Sequence, residues 1–189
     1  QAMKKPIGVA EVVLAPGQVC FSTRPTRLRT LLGSCVAITF WHPQRLIGGM
    51  CHFMLPSRRH RDRPLSQRQM ARQRPDSLNG KYADEALAIL LQGVAKAGSA
   101  PGEYVVKLFG GGNMFPQLGG CHAPDIASQN VAAAWALVRA QGLDVSAHDL
   151  GGTGHRALIF ELNTGHVWVR HSPLIRDPER VDKRRRTGQ

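Results

Sequence analysis

Leu31-Leu32-Gly33-Ser34-Cys35-Val36-Ala37-Ile38-Thr39-Phe40-Trp41 and, after His42-Pro43-Gln44-Arg45, Leu46-Ile47-Gly48-Gly49-Met50-Cys51-His52-Phe53-Met54-Leu55 form the stretch on which the fold turns. Both pieces are apolar and rich in β-branched and aromatic residues, and a short polar link separates them. That pattern predicts a β-hairpin with arms over residues 31–41 and 46–55, the second arm ended by Pro56.

Outward from the hairpin, residues 7–14 read as a strand stopped by Pro16-Gly17, and residues 19–22 as a short second strand. Residues 81–97 form a helix: Ala83, Ala86, Leu87, Leu90, Leu91, Val94 and Ala97 recur at helical spacing, and Gly98 supplies the stop. A strand over 104–109 runs into Gly110-Gly111-Gly112. A second helix spans 125–141, with Asp125 as N-cap and Gly142 beyond its end. Residues 143–147 read as a strand, and 157–162 with 166–170 as a hairpin turned by Asn163-Thr164-Gly165. Many strands and two helices predict an α+β fold in which the helices cover one face of a mixed or antiparallel arrangement.

The length of 189 residues suits one domain over residues 1–172 and a charged tail over 173–189. No apolar run approaches the ~18 residues of a membrane span, and no secretory h-region follows Lys4-Lys5. The four cysteines, Cys20, Cys35, Cys51 and Cys121, form no CxxC pair and no zinc spacing, so reduced thiols in a cytoplasm are expected. The formal net charge of +12 favours acidic partners. Much of it sits in a long polar loop, residues 57–79, and in Lys183-Arg184-Arg185-Arg186. Neither cluster contains the aromatic side chains that stack on bases, so dedicated nucleic-acid binding is weakly supported.

The chemistry-bearing pair lies in the hairpin. A loop centred between Pro43 and Gln44 sets His42 against Arg45 and, counting outward, Cys35 against His52 on one face. Directly opposed Cβ atoms are about 4.5–5.5 Å apart, close enough for a thiol–imidazole contact. A thiol is mostly protonated at neutral pH, and a neighbouring imidazole takes its proton on the way to a reactive thiolate. Gly33-Ser34 leaves room for a substrate carbonyl, and backbone N–H groups near Cys35 suit an oxyanion. The competing reading makes Cys35 a small buried hydrophobe and His52 a structural residue. Cys51 points to the other face and reads as core. Gly110-Gly111-Gly112-Asn113 and Gly151-Gly152-Thr153-Gly154 lack nucleotide-fingerprint spacing. They read either as tight turns or as points where substrate backbone approaches closely, which makes Gly111, Gly112 and Asn113, with Gly33 and Ser34, candidate substrate-binding residues.

Several ordered motifs together resemble the CheD family of chemoreceptor glutamine deamidases. They are Thr30-Leu31-Leu32-Gly33-Ser34-Cys35-Val36-Ala37, Gly48-Gly49-Met50-Cys51-His52-Phe53-Met54-Leu55-Pro56, Lys81-Tyr82-Ala83-Asp84, the run from Lys107 through Gly110-Gly111-Gly112-Asn113 to Phe115, and the run from Asp149 through Gly151-Gly152 to Arg156. The resemblance spans residues 7–170. It implies a three-layer α/β/β sandwich and hydrolysis of receptor glutamine side chains to glutamate with release of ammonia. It further implies Cys35 as nucleophile, His52 as base and Thr30 as third member. No metal or organic cofactor is implied, and methyl-accepting chemotaxis receptors are the protein substrates. Some members also bind a CheC-type phosphatase. The sequence departs from the family pattern at Ala127-Ser128-Gln129-Asn130, where only Asn130 is retained, at His155, and in the long basic loop. The arginines from Arg58 to Arg74 are expected to steer an acidic receptor helix. A non-catalytic chemotaxis adaptor that only binds receptor or phosphatase is the alternative, and a nucleic-acid-binding domain is the third reading.

Overall fold

The computed structural model describes residues 4–58, 78–116 and 125–174. Among the described residues, nine strands and two α-helices follow one another as β1 (Ala10–Val13), β2 (Val19–Ser22), β3 (Thr26–Leu32), β4 (Val36–His42), β5 (Ile47–Phe53), α1 (Ala83–Lys96), β6 (Val105–Gly110), α2 (Ile126–Ala140), β7 (Val145–Leu150), β8 (His155–Glu161) and β9 (Val167–Ser172). They form a four-stranded sheet in the order β1-β3-β8-β9 and a five-stranded sheet in the order β2-β5-β4-β6-β7. The β1–β3 and β6–β7 pairs are parallel and the rest antiparallel. The α+β expectation holds, with both helices on the five-stranded sheet and the four-stranded sheet on its other side.

The middle layer explains the apolar run that opens the sequence. Along β4, Val36, Ile38 and Phe40 face the helices, where they meet Leu87, Leu90, Val94, Ala134 and Val138. Ala37 faces the opposite way, with Met50 of β5, onto Leu28, Leu32, Leu158 and Phe160 of the second sheet. A strand buried on both faces loses the polar alternation of a half-exposed one. Each large side chain removed from water here contributes roughly 1.5–3 kcal/mol relative to exposure. α2 is capped as expected: the Asp125 carboxylate accepts the Ser128 N–H at 2.7 Å.

Two expectations are corrected. Residues 31–41 are not one arm. Leu31 and Leu32 end β3 in the four-stranded sheet, Gly33-Ser34-Cys35 crosses between layers, and β4 begins at Val36. The hairpin register also differs. Leu46 adopts a positive φ of 54° and its N–H returns to the His42 carbonyl at 2.9 Å, so the loop closes on His42 opposite Ile47. Ala37 therefore opposes His52, and Cys35 lies one pleat further along rather than directly across. A slip of two residues preserves the face, whereas a slip of one would have reversed it. The basic loop and the tail, at residues 59–77 and 175–189, lie outside the described residues, as does Cys121. Arg58, which opens the basic cluster, makes a two-pronged contact with Glu85 on α1 at 2.9 Å for each bond.

Candidate active site

Thr30 and His52 meet in the space between the two sheets. Thr30 lies on the inward face of β3, in step with Leu28 and Leu32, and His52 on the inward face of β5, in step with Met50. The Thr30 Oγ1 to His52 Nδ1 distance is 2.7 Å, and the Thr30 hydroxyl donates to the Leu14 carbonyl at 2.9 Å. A threonine hydroxyl has one proton. With that proton on Leu14, Thr30 accepts from His52 Nδ1–H, which leaves a lone pair on Nε2. The opposite tautomer would bury an unpartnered Nε2–H, because His52 is 1% exposed and Nε2 has no hydrogen-bond partner among the described residues. The network thus assigns the proton to Nδ1 and leaves Nε2 as an unoccupied base.

Cys35 is half-buried and belongs to the rim of the same inter-sheet cluster. It stands two residues before Ala37, which opposes His52, just ahead of the paired part of β4 and on the inter-sheet side of the middle layer. Burial pushes its thiol above the usual range, and a hydrogen bond from the Ser34 side chain acts against that. Burial likewise pushes His52 down to about 4, opposed by the Leu14 carbonyl. The resting pair is therefore a neutral thiol beside a neutral imidazole. Cys51 faces the helices, fully buried, with its thiol pushed up to about 12 by burial.

The crossover that carries Cys35 is held by three consecutive carbonyls. The Gly33 carbonyl accepts from Gly112 N–H at 2.9 Å, and the Cys35 carbonyl from Gly111 N–H at 2.8 Å. The Ser34 carbonyl accepts from Asn130 Nδ2 at 3.0 Å. The same Asn130 amide donates to the Met54 carbonyl at 2.9 Å, two residues beyond His52. Asn130 is fully buried and so ties α2 to both segments of the pair. Gly110, with φ of 109°, must be glycine: a Cβ there would stand 2.3 Å from the Cys35 carbonyl oxygen.

Among the other candidates from sequence, Gly111 and Gly112 direct their N–H groups to the Gly33–Cys35 segment, and so brace it. Asn113 is also engaged internally: its N–H donates to the Gly152 carbonyl, its Nδ2 to Asp125, and its Oδ1 accepts from Phe115. The two glycine-rich loops are joined by Arg156, which is 2% exposed. Its guanidinium reaches Asp149 at 2.8 Å, the Gly151 carbonyl at 2.9 Å and the Gly110 carbonyl at 3.5 Å. The bracing role of Asn130 was not readable from spacing, since its acceptors lie far away in sequence, and the reach of Arg156 to the Gly110 carbonyl was hidden for the same reason.

Asn130→Ala removes both bracing bonds and leaves two partly buried carbonyls without this donor. About 2–4 kcal/mol of stability is expected to go with them, measured as a shift in urea midpoint at constant slope.

The two-sheet, helix-covered sandwich thus gathers a thiol, a tautomer-locked imidazole and a hydroxyl between its sheets. A profile described as "CheD chemotactic sensory transduction" matches residues 54–171. A relative from Pseudomonas fluorescens (strain SBW25), described as "probable chemoreceptor glutamine deamidase CheD", is 56% identical over 176 residues, 91% of this chain and 90% of its own length. A relative from Pseudomonas syringae pv. syringae with the same description is 56% identical over 173 residues, covering 91% and 90%. One from Dechloromonas aromatica, "probable chemoreceptor glutamine deamidase CheD 3", is 43% identical over 164 residues, covering 87% and 89%. The chain belongs to the CheD family. No helix among the described residues is long and apolar enough to cross a membrane.

Proposed function

We propose that this chain hydrolyses the side-chain amide of specific glutamines on chemoreceptors to glutamate, through a thioester on Cys35. The observation that carries the reading is His52: a buried imidazole whose Nδ1 is committed to Thr30 and whose Nε2 has no partner among the described residues, on the inter-sheet side where Cys35 also packs. In a chain 56% identical to proteins described as chemoreceptor glutamine deamidases, that base has an evident use.

The steps follow from the neutral resting pair. As sulfur attacks the amide carbon, His52 Nε2 takes the thiol proton, so the thiolate is formed during attack rather than stored. The imidazolium then gives this proton to the departing NH2 group, which leaves as ammonia and yields the thioester. Water adds to the thioester carbon, passing its proton to Nε2. The tetrahedral intermediate collapses to glutamate and expels the sulfur, which recovers the proton. Thr30 holds the Nδ1–H throughout and steadies the imidazolium. Ser34 and Gly33 line the approach, and the Cys35 N–H is the proposed oxyanion donor. Gly111, Gly112 and Asn113 serve the substrate indirectly, by fixing the crossover.

The catalytic unit in this reading is residues 1–172, with the loop 57–79 and the tail 173–189 as basic appendages. It acts in the cytoplasm, and a CheC-type phosphatase is a further partner. The test is mass spectrometry of a chemoreceptor cytoplasmic fragment incubated with the protein. Specific glutamines should gain the mass difference between NH2 and OH, with one ammonia released for each. A fragment returned unchanged, in the presence of a folded protein that still binds it, would leave the adaptor reading in place.

A further inference from the structure

The five-stranded sheet is covered by two helices, but the outer face of the four-stranded sheet carries no such layer among the described residues. The register aligns its outward residues in rows: Val13, Arg29, Ile159 and Trp168 stand side by side across four strands, and Leu31 stands in the next row with Arg170. These residues line a groove of about 560 Å³. Val13 is 65% and Leu31 61% exposed, and Ile159 and Trp168 are half-buried beside them. Contiguous exposed apolar side chains on a sheet face mark a place where something else packs.

We propose that this groove docks an acidic amphipathic α-helix of the protein substrate. Charge selects the occupant. Arg29 is shared with Glu11 at 3.3 Å, while Arg170 is exposed and has no carboxylate partner among the described residues. A second copy of the chain would set arginine against arginine across a two-fold axis, and the chain's own tail, residues 175–189, is net basic. An acidic helix matches both halves of the face, its apolar stripe on Trp168, Ile159 and Leu31 and its carboxylates at Arg170 and Arg29.

Position selects the function. The groove is walled by β3, and the same strand places Thr30 against His52 on its inner face and runs from Leu31 to Cys35 in four residues. Four extended residues span at most about 14 Å, so a helix of a few turns seated in the groove reaches the crossover. A face rather than an edge is offered, which favours a helix over an added strand.

This inference rests on the reading of a chemoreceptor as protein substrate, and its test separates the two. Titration of the receptor cytoplasmic fragment into the full chain gives Kd independently of turnover. Arg170→Glu, an exposed change, is expected to raise Kd about tenfold at low salt, and the gap from wild type should shrink as salt rises. Trp168→Ala is expected to raise Kd by a similar factor without that salt dependence. In both variants the rate of Cys35 alkylation by iodoacetamide should stay at the wild-type value, as should the melting temperature of Arg170→Glu. Unchanged affinity in Arg170→Glu and Trp168→Ala overturns the groove, and so does a wild-type dimer that these variants dissolve. A receptor fragment that binds through this face but keeps all its glutamines would instead sink the deamidase reading alone.

Discussion

Cys35→Ser is expected to lower glutamine turnover by at least about 10⁴-fold, while Cys51→Ala stays within about twofold of wild type. Cys51 lies on β5 and Cys35 in the crossover just before β4, and the two pack on opposite sides of the middle sheet. Cys51 is closed off among Val36, Leu87 and Leu90 under the helices, and burial pushes its thiol up to about 12, so neither substrate nor base reaches it. Cys35 stands at the layer crossover, half-exposed, on the face shared with His52. Serine there keeps the shape and the bracing of the crossover but offers a far more basic and less polarisable nucleophile. The loss must therefore fall on kcat, with receptor affinity retained. Cys51→Ala should act through the core instead, costing about 1 kcal/mol of stability by leaving a small void under α1. Ammonia release and denaturant midpoints, measured on both variants, check the two halves separately. Full activity in Cys35→Ser would remove the thiol from the mechanism.

The face shared by Cys35 and His52 was legible in the sequence because parity is robust: β-strands alternate, and the register error in the hairpin was an even one. The register itself was not legible. It depends on Leu46 entering the left-handed region, which a leucine rarely does and no spacing announces. β3 was missed for a different reason. Thr26-Arg27-Leu28-Arg29-Thr30 reads as polar, yet it alternates, with Leu28 and Thr30 inward and Arg29 outward. Arg27, also outward, is buried because Glu161 on β8 pairs with it. Period two was present, and the arginines masked it. The contact between Thr30 and His52 joins different sheets, so strand spacing alone could not supply it. Asn130 stands further still from local pattern: its two acceptors, Ser34 and Met54, lie 96 and 76 residues away, and only folding brings them to one amide. The helices were the most legible elements, since their apolar positions and caps are local.

His52→Asn is expected to lower kcat by about 10³–10⁴-fold and, separately, to remove a specific pH dependence from stability. The asparagine amide can still donate toward Thr30 Oγ1 in place of Nδ1–H, but it has no basic nitrogen in place of Nε2. The stability effect follows from burial. In the unfolded chain His52 takes a proton near pH 6.5, while in the folded one burial holds it down to about 4. Between those values the unfolded state binds the extra proton, so stability rises with pH in that window. The contribution is complete above pH 6.5 and is lost as pH falls toward 4, by up to about 3 kcal/mol. The asparagine variant lacks this loss, so its stability difference from wild type at pH 7 should shrink or reverse by pH 4.5. Urea unfolding at the two pH values measures it, with the other histidines cancelling in the difference. For catalysis the same shift sets the acid limb: wild-type kcat/KM should persist well below pH 6.5 and fail as pH approaches 4, where Nε2 fills with a proton. Thr30→Val tests the link between the two effects. It removes the acceptor that holds Nδ1–H, which frees the tautomer, and it should cut kcat by about 10–100-fold while leaving KM near wild type. A wild-type acid limb centred at pH 6.5 would show that His52 is solvated in the working enzyme, and would remove burial as the source of its poise.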